Sequence, residues 1–320
     1  MKKVLIFTYL QRHLRKMIPL IEALNKDENI QLTVLLMTQE EKQIAESKGI
    51  SYHMLDQYTD RKRSVDFDLG WGLVPLINAL EMIKPDLFIA IEVNYILRNA
   101  IRYCKQKKIR NLVLQHGTPN EYSLHAFAPF EGECFAAWGE FSAQFLSRHY
   151  VDMNRIVVTG GIPFDRTFRL TPDKESIARE LNLDPQKKWI VFATQPNGPG
   201  NRPTMQEIVF SIFETVYTLK NYPDVECIVQ VHPHQSIQMI EKIVEQIPDH
   251  RALITKYHDT EKLIASSDGL ITFFSTTAID AVLLRKPLML INLTDDREFF
   301  PFASMGVAQG IYRKEDIAPA

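Results

Sequence analysis

The chain has 320 residues, of which 45% are hydrophobic and 24% are charged, and its formal net charge is −2. This composition is typical of a soluble globular protein, and the length suits two domains of about 150 residues each. A net charge so close to zero excludes a general attraction to nucleic acid or to an acidic membrane, although peripheral membrane association stays open.

The cysteines and the N-terminus indicate a cytoplasmic protein. The three cysteines are far apart in the chain and lack metal-ligand spacing, so we expect reduced thiols. Residues 1–9 begin like a signal peptide but lose their apolar character after about six residues, which favours a first β-strand. No segment has the roughly 18 unbroken apolar residues of a membrane helix. We expect a cytoplasmic location, with association at the inner face of the membrane left open.

Short apolar runs alternate with helix-like segments from the N-terminus onward. Runs in the first half of the chain predict six strands: Val4–Thr8, Leu32–Met37, Asp86–Glu92, Asn111–Gln115, Cys134–Trp138 and Ile156–Thr159. Helical periodicity is clear between them, in residues 18–24 and 73–83. Because the runs are apolar at every position, we expect parallel strands that are buried on both faces.

The same alternation starts again after residues 160–173, which are rich in turn formers. Five further runs predict strands: Trp189–Thr194, Cys227–Val231, Ala252–Thr255, Leu270–Phe274 and Leu288–Ile291. Four segments have helical character: Met205–Thr218, Ser236–Gln246, Thr260–Ser266 and Thr277–Leu284. We therefore predict an α/β protein with two Rossmann-like, doubly wound parallel-sheet domains, residues 1–168 and 169–320, that face a cleft.

Ligands of doubly wound sheets bind at the carboxyl ends of the strands, so residues that follow strands are the candidates for a site. In the first domain, His116 directly follows a buried strand and precedes a glycine and a Thr-Pro pair. A histidine there can act as a base, pair with a phosphate when charged, or only bond to the loop backbone. Glu121, in a long loop with little sign of a helix, is the second acid–base candidate. Arg12 and His13 follow the first strand and are expected to face the cleft.

In the second domain, His232 follows a strand, and the proline after it fixes the chain as it leaves the sheet. Although His234 is only two residues away, the intervening proline and the absence of nearby carboxylates argue against a metal site. The first predicted strand of this domain, Trp189–Thr194, leads to Gln195 and to a loop that contains Gly198 and Arg202. Glycines let the backbone approach a ligand, and the arginine can reach a phosphate, but a plain flexible loop is the alternative.

The hydroxyl residues Ser275, Thr276 and Thr277 lie between a predicted buried strand and a predicted helix. The free N–H groups and the dipole of a helix N-terminus favour a phosphate, and hydroxyl groups add hydrogen bonds. The simpler alternative is that one of these hydroxyls only caps the helix. Asp280, one helical turn later, either binds a ribose hydroxyl or fixes the turn.

We predict no bound metal and no cofactor. Asp66-Phe-Asp68 matches the Asp-x-Asp signature of metal-dependent sugar transfer only superficially, because it lies in a charged loop and follows no strand. Asp295 and Asp296 are expected to lie in a solvated turn.

Four motifs carry a resemblance to known enzymes. They are His116-Gly-Thr-Pro119, Val158–Asp165, Val231-His-Pro233, and Ser275–Asp280 ahead of Lys286-Pro287. In this order, and at strand ends, they make the chain resemble the two-domain glycosyltransferases of the GT-B fold. More narrowly, it is similar to capsule-polysaccharide and teichoic-acid-type transferases and to UDP-N-acetylglucosamine 2-epimerases. The resemblance implies that the first domain lies on the acceptor side and the second on the nucleotide-donor side.

The resemblance also implies roles for individual residues. The His-Gly-Thr-Pro motif resembles the glycerophosphotransferases that polymerise CDP-glycerol, which would make His116 catalytic. The His-Pro motif and the hydroxyl cluster resemble CMP-sialic-acid and Kdo transferases, so His232, Ser275 and Thr276 would hold the donor phosphate. The sequence departs from the glycerophosphotransferases at residues 120–121, where it has Asn-Glu and not Leu-Lys. It also lacks the Ser-Gly-Gly and acidic pair of the epimerases.

By this resemblance the chain is expected to be a metal-independent glycosyltransferase of capsule or other cell-surface polysaccharide synthesis. It would move a sugar from a nucleotide-activated donor to a saccharide or polyol acceptor, with His116 first and Glu121 second as the base. The alternatives are a CDP-glycerol-type glycerophosphotransferase, an epimerase-like enzyme and a non-catalytic nucleotide-binding protein. Chains of this fold usually end in a helix that returns to the first domain, and the sequence stops at residues 315–320, where that helix would begin.

Overall fold

The computed structural model describes residues 1–59, 72–92, 94–197, 203–257, 259–293, 298 and 301–318. The chain divides into two units, unit 1 (Met1–Asp165) and unit 2 (Arg166–Ala320). Each unit is built on a parallel β-sheet that alternates along the chain with helices, which confirms the predicted α/β fold class. No helix in the described residues is both long and apolar enough to cross a bilayer.

Within the described part of unit 1, seven strands form one sheet: β1 (Lys2–Phe7), β2 (Ile30–Leu36), β3 (His53–Met54), β4 (Leu87–Ile91), β5 (Arg110–Leu114), β6 (Cys134–Ala137) and β7 (Ile156–Val158). Their order is β3-β2-β1-β4-β5-β6-β7, and neighbouring strands are parallel. The sequence does not predict β3, because two residues are too few to show a pattern. Each predicted run extends one residue past the observed strand, so Thr8, Glu92 and Gln115 already lie beyond the sheet.

The helices of unit 1 follow from local signals in the sequence. They are α1 (Gln11–Asn25), α2 (Gln39–Ser47), α3 (Leu73–Ile83), α4 (Tyr95–Gln106) and α5 (Glu140–Arg148), and α6 (Phe164–Arg169) runs across the division between the units. A capping box starts α2, in which the Thr38 hydroxyl accepts from the Glu41 N–H and the Glu41 carboxylate accepts from the Thr38 N–H. The Asn94 side chain caps α4 by accepting from the Leu97 N–H at 3.0 Å.

Both faces of the unit 1 sheet are buried. Alternate residues of β1 belong to different core clusters, with Leu5 and Phe7 in one and Val4 and Ile6 in the other. This alternation explains why the run is apolar at every position, since each side chain meets a layer of helices. A sheet packed on both faces holds the carboxyl ends of its strands in fixed positions.

Unit 2 repeats this architecture. Its described residues form a six-stranded parallel sheet from β8 (Lys188–Ala193), β9 (Val225–Gln230), β10 (Leu253–Thr255), β11 (Gly269–Thr272), β12 (Leu288–Ile291) and β13 (Gln309–Ile311), in the order β10-β9-β8-β11-β12-β13. The helices are α7 (Lys174–Leu181), α8 (Met205–Leu219), α9 (Ile237–Val244), α10 (Thr260–Ser266) and α11 (Thr277–Leu283). The sequence does not predict β13, which has three residues and a central glycine.

Candidate functional site

The carboxyl edge of the unit 1 sheet brings together residues from three neighbouring strands. β4 pairs with β1 on one side and with β5 on the other. Tyr9 comes two residues after β1, Glu92 directly after β4, and His116 two residues after β5. Because the strands are parallel, these three residues leave the sheet at the same edge. Of the three, only His116 is predicted from the sequence.

Hydrogen bonds hold the backbone around His116. The buried Gln115 donates from Nε2 to the Gly117 carbonyl at 2.9 Å, and its Oε1 accepts from the Trp138 N–H at 2.7 Å. Lys16 Nζ donates to the His116 carbonyl at 2.5 Å. A buried amide and a lysine of α1 therefore fix the turn that carries the histidine.

The surroundings of the His116 ring keep it neutral. The ring stacks on Phe127, with 4.9 Å between the centroids and 13° between the planes. Burial, with the positive charges of Lys16 and Arg12, lowers the pKa of His116 to about 3. Its Nδ1 forms no hydrogen bond within the described residues. At pH 7 a neutral imidazole donates or accepts a hydrogen bond, but it carries no charge that could pair with a phosphate.

His13 and Glu92 make a second polar contact at this edge. His13 lies in the first turn of α1, is 0% exposed, and has a pKa lowered to about 3 by burial and by the charge of Arg12. Its Nε2 lies 3.3 Å from Glu92 Oε2, but without the alignment of a hydrogen bond. Tyr9 OH donates to the same carboxylate oxygen. The centroids of the His13 and His116 rings are 6.4 Å apart.

Tyr9, His13, Glu92 and His116 are called the unit 1 cluster below. Sequence reasoning includes His13 and His116 but misses Tyr9 and Glu92. The rule that ligands bind after strands could have found Glu92. It did not, because the predicted strand Asp86–Glu92 includes this residue, whereas the observed strand β4 ends at Ile91. Tyr9 gives no comparable signal, since an aromatic residue next to a strand is ordinarily part of the core.

Arg12 and Glu121, the other predicted residues of unit 1, are both exposed. The expectation of a loop with little helix is wrong, because Glu121–Ala126 form a 3-10 helix. The physical reason lies just before it, where Asn120 Oδ1 accepts from the Ser123 N–H at 3.0 Å and starts the turn. The acid–base role of Glu121 stays a prediction.

At the carboxyl edge of unit 2, amides and hydroxyls link the ends of three strands. Thr194 Oγ1 donates to Gln235 Oε1 at 2.5 Å and accepts from the His232 N–H at 3.1 Å. Gln235 Nε2 donates to the Gln195 carbonyl at 3.1 Å. The Gln195 side chain continues the network, because its Oε1 accepts from the Phe274 N–H at 3.2 Å. This set of bonds is called the unit 2 network below.

The unit 2 network brings three predicted residues to one edge of the sheet. Gln195 follows β8, His232 follows β9 and Ser275 follows β11, and these strands are neighbours in the order β9-β8-β11. His232 and Ser275 therefore flank Gln195 on either side, as the strand-end rule requires.

The His232 ring is a neutral hydrogen-bond donor. Its Nδ1 accepts from the His234 N–H at 3.1 Å, so the proton of the neutral ring is assigned to Nε2. Burial lowers the pKa of His232, and the nearby His234 and Lys256 lower it as well. The ring therefore offers one N–H group from Nε2 at neutral pH.

The hydroxyl cluster forms the turn that leads into α11. α11 begins at Thr277, as predicted, and Thr276 is its N-cap residue but makes no side-chain cap bond. The Ser275 Oγ accepts from the Thr277 N–H at 3.3 Å. The Thr277 Oγ1 is buried and forms no hydrogen bond within the described residues. The side chain of the N-cap residue Thr276 therefore does not cap the helix, and Ser275 bonds within the turn to the first helical residue.

Asp280 has a structural contact. Its Oδ1 accepts from the Thr167 Oγ1 at 3.2 Å, and Thr167 is buried in α6. This bond joins α11 to α6 and agrees with the interpretation that Asp280 fixes local structure. A bond from Asp280 to a ribose hydroxyl stays a prediction.

Several predicted features lie outside the described residues. They are Gly198, Arg202 and the aspartates at 66, 68, 295 and 296. Their roles stay predictions, as does the expectation that the protein uses no cofactor. Among the residues the structure does describe, no group of three or more His, Cys, Asp or Glu side chains could hold a metal ion.

Two cavities lie at the opposite, amino edges of the sheets. The cavity in unit 1 has a volume of about 1310 Å³ and is lined by Lys2, Leu87 and Arg110, the first residues of three strands. The cavity in unit 2 has a volume of about 430 Å³ and is lined by Val225 and Gly269, again first residues of strands. Neither contains a predicted site residue. The volume of these two cavities therefore does not identify the candidate site. The side chains at the carboxyl edges of the sheets identify it.

A protein-family model described as CDP-Glycerol:Poly(glycerophosphate) glycerophosphotransferase matches residues 135–299, just over half of the chain. The chain belongs to this family. Membership confirms the resemblance read from the motifs. In this glycerophosphotransferase-family protein, the matched residues include all of the unit 2 network and the hydroxyl cluster, whereas the unit 1 cluster lies before them.

Solved structures similar to this glycerophosphotransferase-family protein share its fold over nearly the whole chain. UDP-GlcNAc 2-epimerase from Neisseria meningitidis, bound to UDP-GlcNAc, has a TM-score of 0.73 at 19% identity and covers 99% of this chain and 89% of its own. UDP-GlcNAc 2-epimerase from Methanocaldococcus jannaschii has a TM-score of 0.72 at 16% identity, with 99% and 91% covered. The glycotransferase of kitacinnamycin has a TM-score of 0.62 at 13% identity, with 100% and 89% covered. These identities show a common GT-B fold only. No curated protein matches the sequence.

Proposed function

We propose that the protein transfers a group from a nucleotide-activated donor to a hydroxyl acceptor, with CDP-glycerol as the donor and a polyol or saccharide as the acceptor. The observation that carries this proposal is that the family match spans the edge of unit 2 where Gln195, His232 and Ser275 come together. Family membership favours phosphoglycerol transfer over the glycosyl transfer that the motifs alone predict.

Unit 2 is proposed to bind the donor through its phosphates. The His232 Nε2–H and the Ser275 hydroxyl are neutral donors of hydrogen bonds at one edge of the sheet, and the buried Thr277 hydroxyl lies on the same turn as Ser275. Hydrogen bonds to a charged phosphate strengthen as negative charge develops on the leaving nucleotide, which is the requirement for transition-state stabilisation. Thr276 and Asp280 on the same turn, and Gly198 and Arg202 after Gln195, complete the proposed donor side.

Unit 1 is proposed to bind the acceptor. Arg12 offers an exposed positive charge next to His13, which is the fully buried member of the unit 1 cluster. The neutral imidazole of His116 would orient the acceptor hydroxyl through a hydrogen bond. Metal independence, a cytoplasmic site of action and a role in cell-surface polysaccharide synthesis belong to the same proposal.

Glycosyl transfer is the second candidate. It is favoured by the full-length likeness to a glycotransferase and to epimerase structures, one of which contains UDP-GlcNAc. For an epimerase-like reaction, the chain lacks the Ser-Gly-Gly and acidic pair described above. The two candidates differ in the donor that is consumed, since a CDP-glycerol transferase releases CMP from CDP-glycerol, whereas a glycosyltransferase releases UDP from a UDP-sugar or CMP from CMP-sialic acid.

A donor panel tests the proposal. The purified protein is incubated with CDP-glycerol, CMP-sialic acid or UDP-GlcNAc, each with and without glycerol 3-phosphate or simple sugars, and nucleotide release is measured by chromatography. We expect CMP release from CDP-glycerol that depends on the acceptor. Ser275→Ala should slow it roughly tenfold to a hundredfold, as for loss of a hydrogen bond to a charged group. The control Thr218→Ala, in α8 beside the amino edge of the same sheet, should retain the wild-type rate.

Each other outcome contradicts the proposal in a distinct way. Sugar transfer with release of UDP from UDP-GlcNAc, or of CMP from CMP-sialic acid, would make the protein a glycosyltransferase, and isomerisation of UDP-GlcNAc without acceptor would make it an epimerase. Donor binding without any turnover would identify a non-catalytic nucleotide-binding protein. Equal rates for Ser275→Ala and Thr218→Ala would remove the hydroxyl cluster from the donor site.

A further inference from the structure

Glu92 occupies an unusual backbone position at the carboxyl edge of unit 1. It directly follows β4 with a φ of 80°, which is uncommon for a residue that is not glycine. Its N–H donates to the Leu114 carbonyl of the neighbouring strand β5 at 3.3 Å. The sheet therefore holds the backbone of Glu92 at the end of β4.

The two carboxylate oxygens of Glu92 have different surroundings. Oε2 accepts a hydrogen bond from Tyr9 OH and lies 3.3 Å from His13 Nε2. Oε1 has no hydrogen bond within the described residues, and 18% of the side chain is exposed. Burial and the Glu92 charge raise the pKa of Tyr9, so its hydroxyl stays protonated and remains a donor. One oxygen is thus anchored by a fixed donor, and the other is open to a ligand.

His116 is poorly suited to keep a proton in this environment. Its ring is stacked on Phe127, and the cations Lys16 and Arg12 lie close enough to oppose an imidazolium. His13 has the same difficulty and no exposed surface. Glu92 is the member of the unit 1 cluster that offers a carboxylate, and 18% of its side chain is exposed while Tyr9 OH and His13 Nε2 both lie at Oε2.

We propose that Glu92 Oε1 accepts the proton of the acceptor hydroxyl, with Tyr9 as a positioning residue and His116 as a neutral hydrogen-bonding partner of the acceptor. This assignment rests on the transfer reaction proposed above. The acceptor O–H bond breaks and its proton moves to Glu92, while the acceptor oxygen forms a bond to the phosphorus that carries the glycerol. The bond from this phosphorus to the bridging oxygen breaks, and the nucleoside monophosphate leaves with the electron pair.

A second tyrosine–glutamate pair in unit 1 provides the matched control. Tyr103 OH donates to Glu81 Oε1 at 2.8 Å, and both residues line the cavity at the amino edge of the sheet. Glu92→Gln and Tyr9→Phe are therefore compared with Glu81→Gln and Tyr103→Phe. Steady-state kcat and KM are measured by CMP release from CDP-glycerol at pH 7, and folding is checked by thermal unfolding.

We expect Glu92→Gln to lower kcat by roughly 10²- to 10⁴-fold, with little change in the KM for CDP-glycerol, as for loss of a general base. Tyr9→Phe should lower kcat by about tenfold, because the anchored oxygen loses one hydrogen bond. Both control variants should retain the wild-type kcat. Formate should restore part of the activity of Glu92→Ala, since a small carboxylate can take the place of the missing one.

The outcomes separate this assignment from the proposed function. A wild-type protein that releases CMP, together with a folded Glu92→Gln protein of equal kcat, overturns the role of Glu92 and leaves the function standing. Equal losses in the Glu92 and Glu81 variants would mark a structural effect and would also overturn it. If Glu92→Gln does not fold, the absence of formate rescue in Glu92→Ala contradicts the role. Failure of the wild-type protein to release nucleotide from any donor overturns the function itself, and this role with it.

Discussion

Ionisable side chains crowd the carboxyl edge of unit 1, whereas amides and hydroxyls link the same edge of unit 2. The unit 1 cluster contains two histidines, a glutamate and a tyrosine in mutual contact. The unit 2 network contains Thr194, Gln195 and Gln235, whose donors and acceptors bond to each other and to the backbone. Two sheets of the same topology class therefore place different chemistry at equivalent edges.

This difference agrees with the proposal that the two units bind different substrates. Imidazoles and a carboxylate at one edge suit the acceptor hydroxyl, which must be oriented and must lose a proton. A network of satisfied amides cannot change its protonation, but it keeps the His232 backbone and the Phe274 backbone in fixed positions. Such an edge suits a donor whose phosphates need preorganised hydrogen bonds.

Acidification should weaken unit 1 more than unit 2, and this is the largest effect we expect. His13 and His116 have pKa values of about 3 in the folded protein, against about 6.5 in the unfolded chain. Between these values the unfolded state binds protons that the folded state does not. The free energy of unfolding therefore falls as the pH drops from about 6.5 to about 3, by up to about 1.4 kcal/mol per pH unit for each histidine.

Hydrogen exchange at several pH values measures this difference for each unit separately. Protection of β1, β4 and β5 should decrease faster below pH 6.5 than protection of β8, β9 and β11, since the unit 2 edge contributes one half-buried histidine, His232. Replacing His13 by Gln should flatten the dependence for unit 1. Equal loss of protection in both units, or an unchanged pH dependence of protection in His13→Gln, would mean that buried neutral histidines do not distinguish the two edges.

The Gln230 amide, which lies outside the unit 2 network, should also stabilise unit 2. Gln230 lies at the end of β9, where its Nε2 donates to the Tyr257 carbonyl at 2.9 Å and its Oε1 accepts from the Tyr257 N–H at 3.1 Å. Gln230→Ala leaves both buried backbone groups without these partners and should lower the free energy of unfolding by about 1–3 kcal/mol. Urea denaturation measures the change, and the exposed Gln246→Ala is the control. Equal effects of the two substitutions would refute the structural role of the Gln230 amide.

The fold could be predicted from the sequence because both sheets are buried on both faces. Leu5, Ile6 and Phe7 are all apolar since successive side chains of β1 meet helices on opposite sides. The strands β3 and β13 could not be predicted, because runs of two and three residues acquire their identity only from pairing with β2 and β12. Tertiary pairing, and not local preference, creates these two strands.

The candidate site could be predicted only in part. The rule that ligands bind after strands selects His116, Gln195, His232 and Ser275, which the structure places at the carboxyl edges of their sheets. It does not reveal that Tyr9 bonds to Glu92, because this contact joins residues 83 positions apart and depends on the order of β1 and β4. Sequence order also gives no indication that His13 is fully buried while the adjacent Arg12 is exposed.

The central claim is that the carboxyl edge of unit 2 binds the nucleotide donor, and calorimetric titration with CDP-glycerol tests it most directly. The wild-type protein is compared with His232→Ala and with His250→Ala, a histidine of the same unit that lies before β10 at the amino edge. We expect His232→Ala to weaken binding by roughly tenfold or more, as for loss of a hydrogen bond to a charged group, and His250→Ala to match the wild type. Equal dissociation constants for the wild type and His232→Ala would contradict the claim.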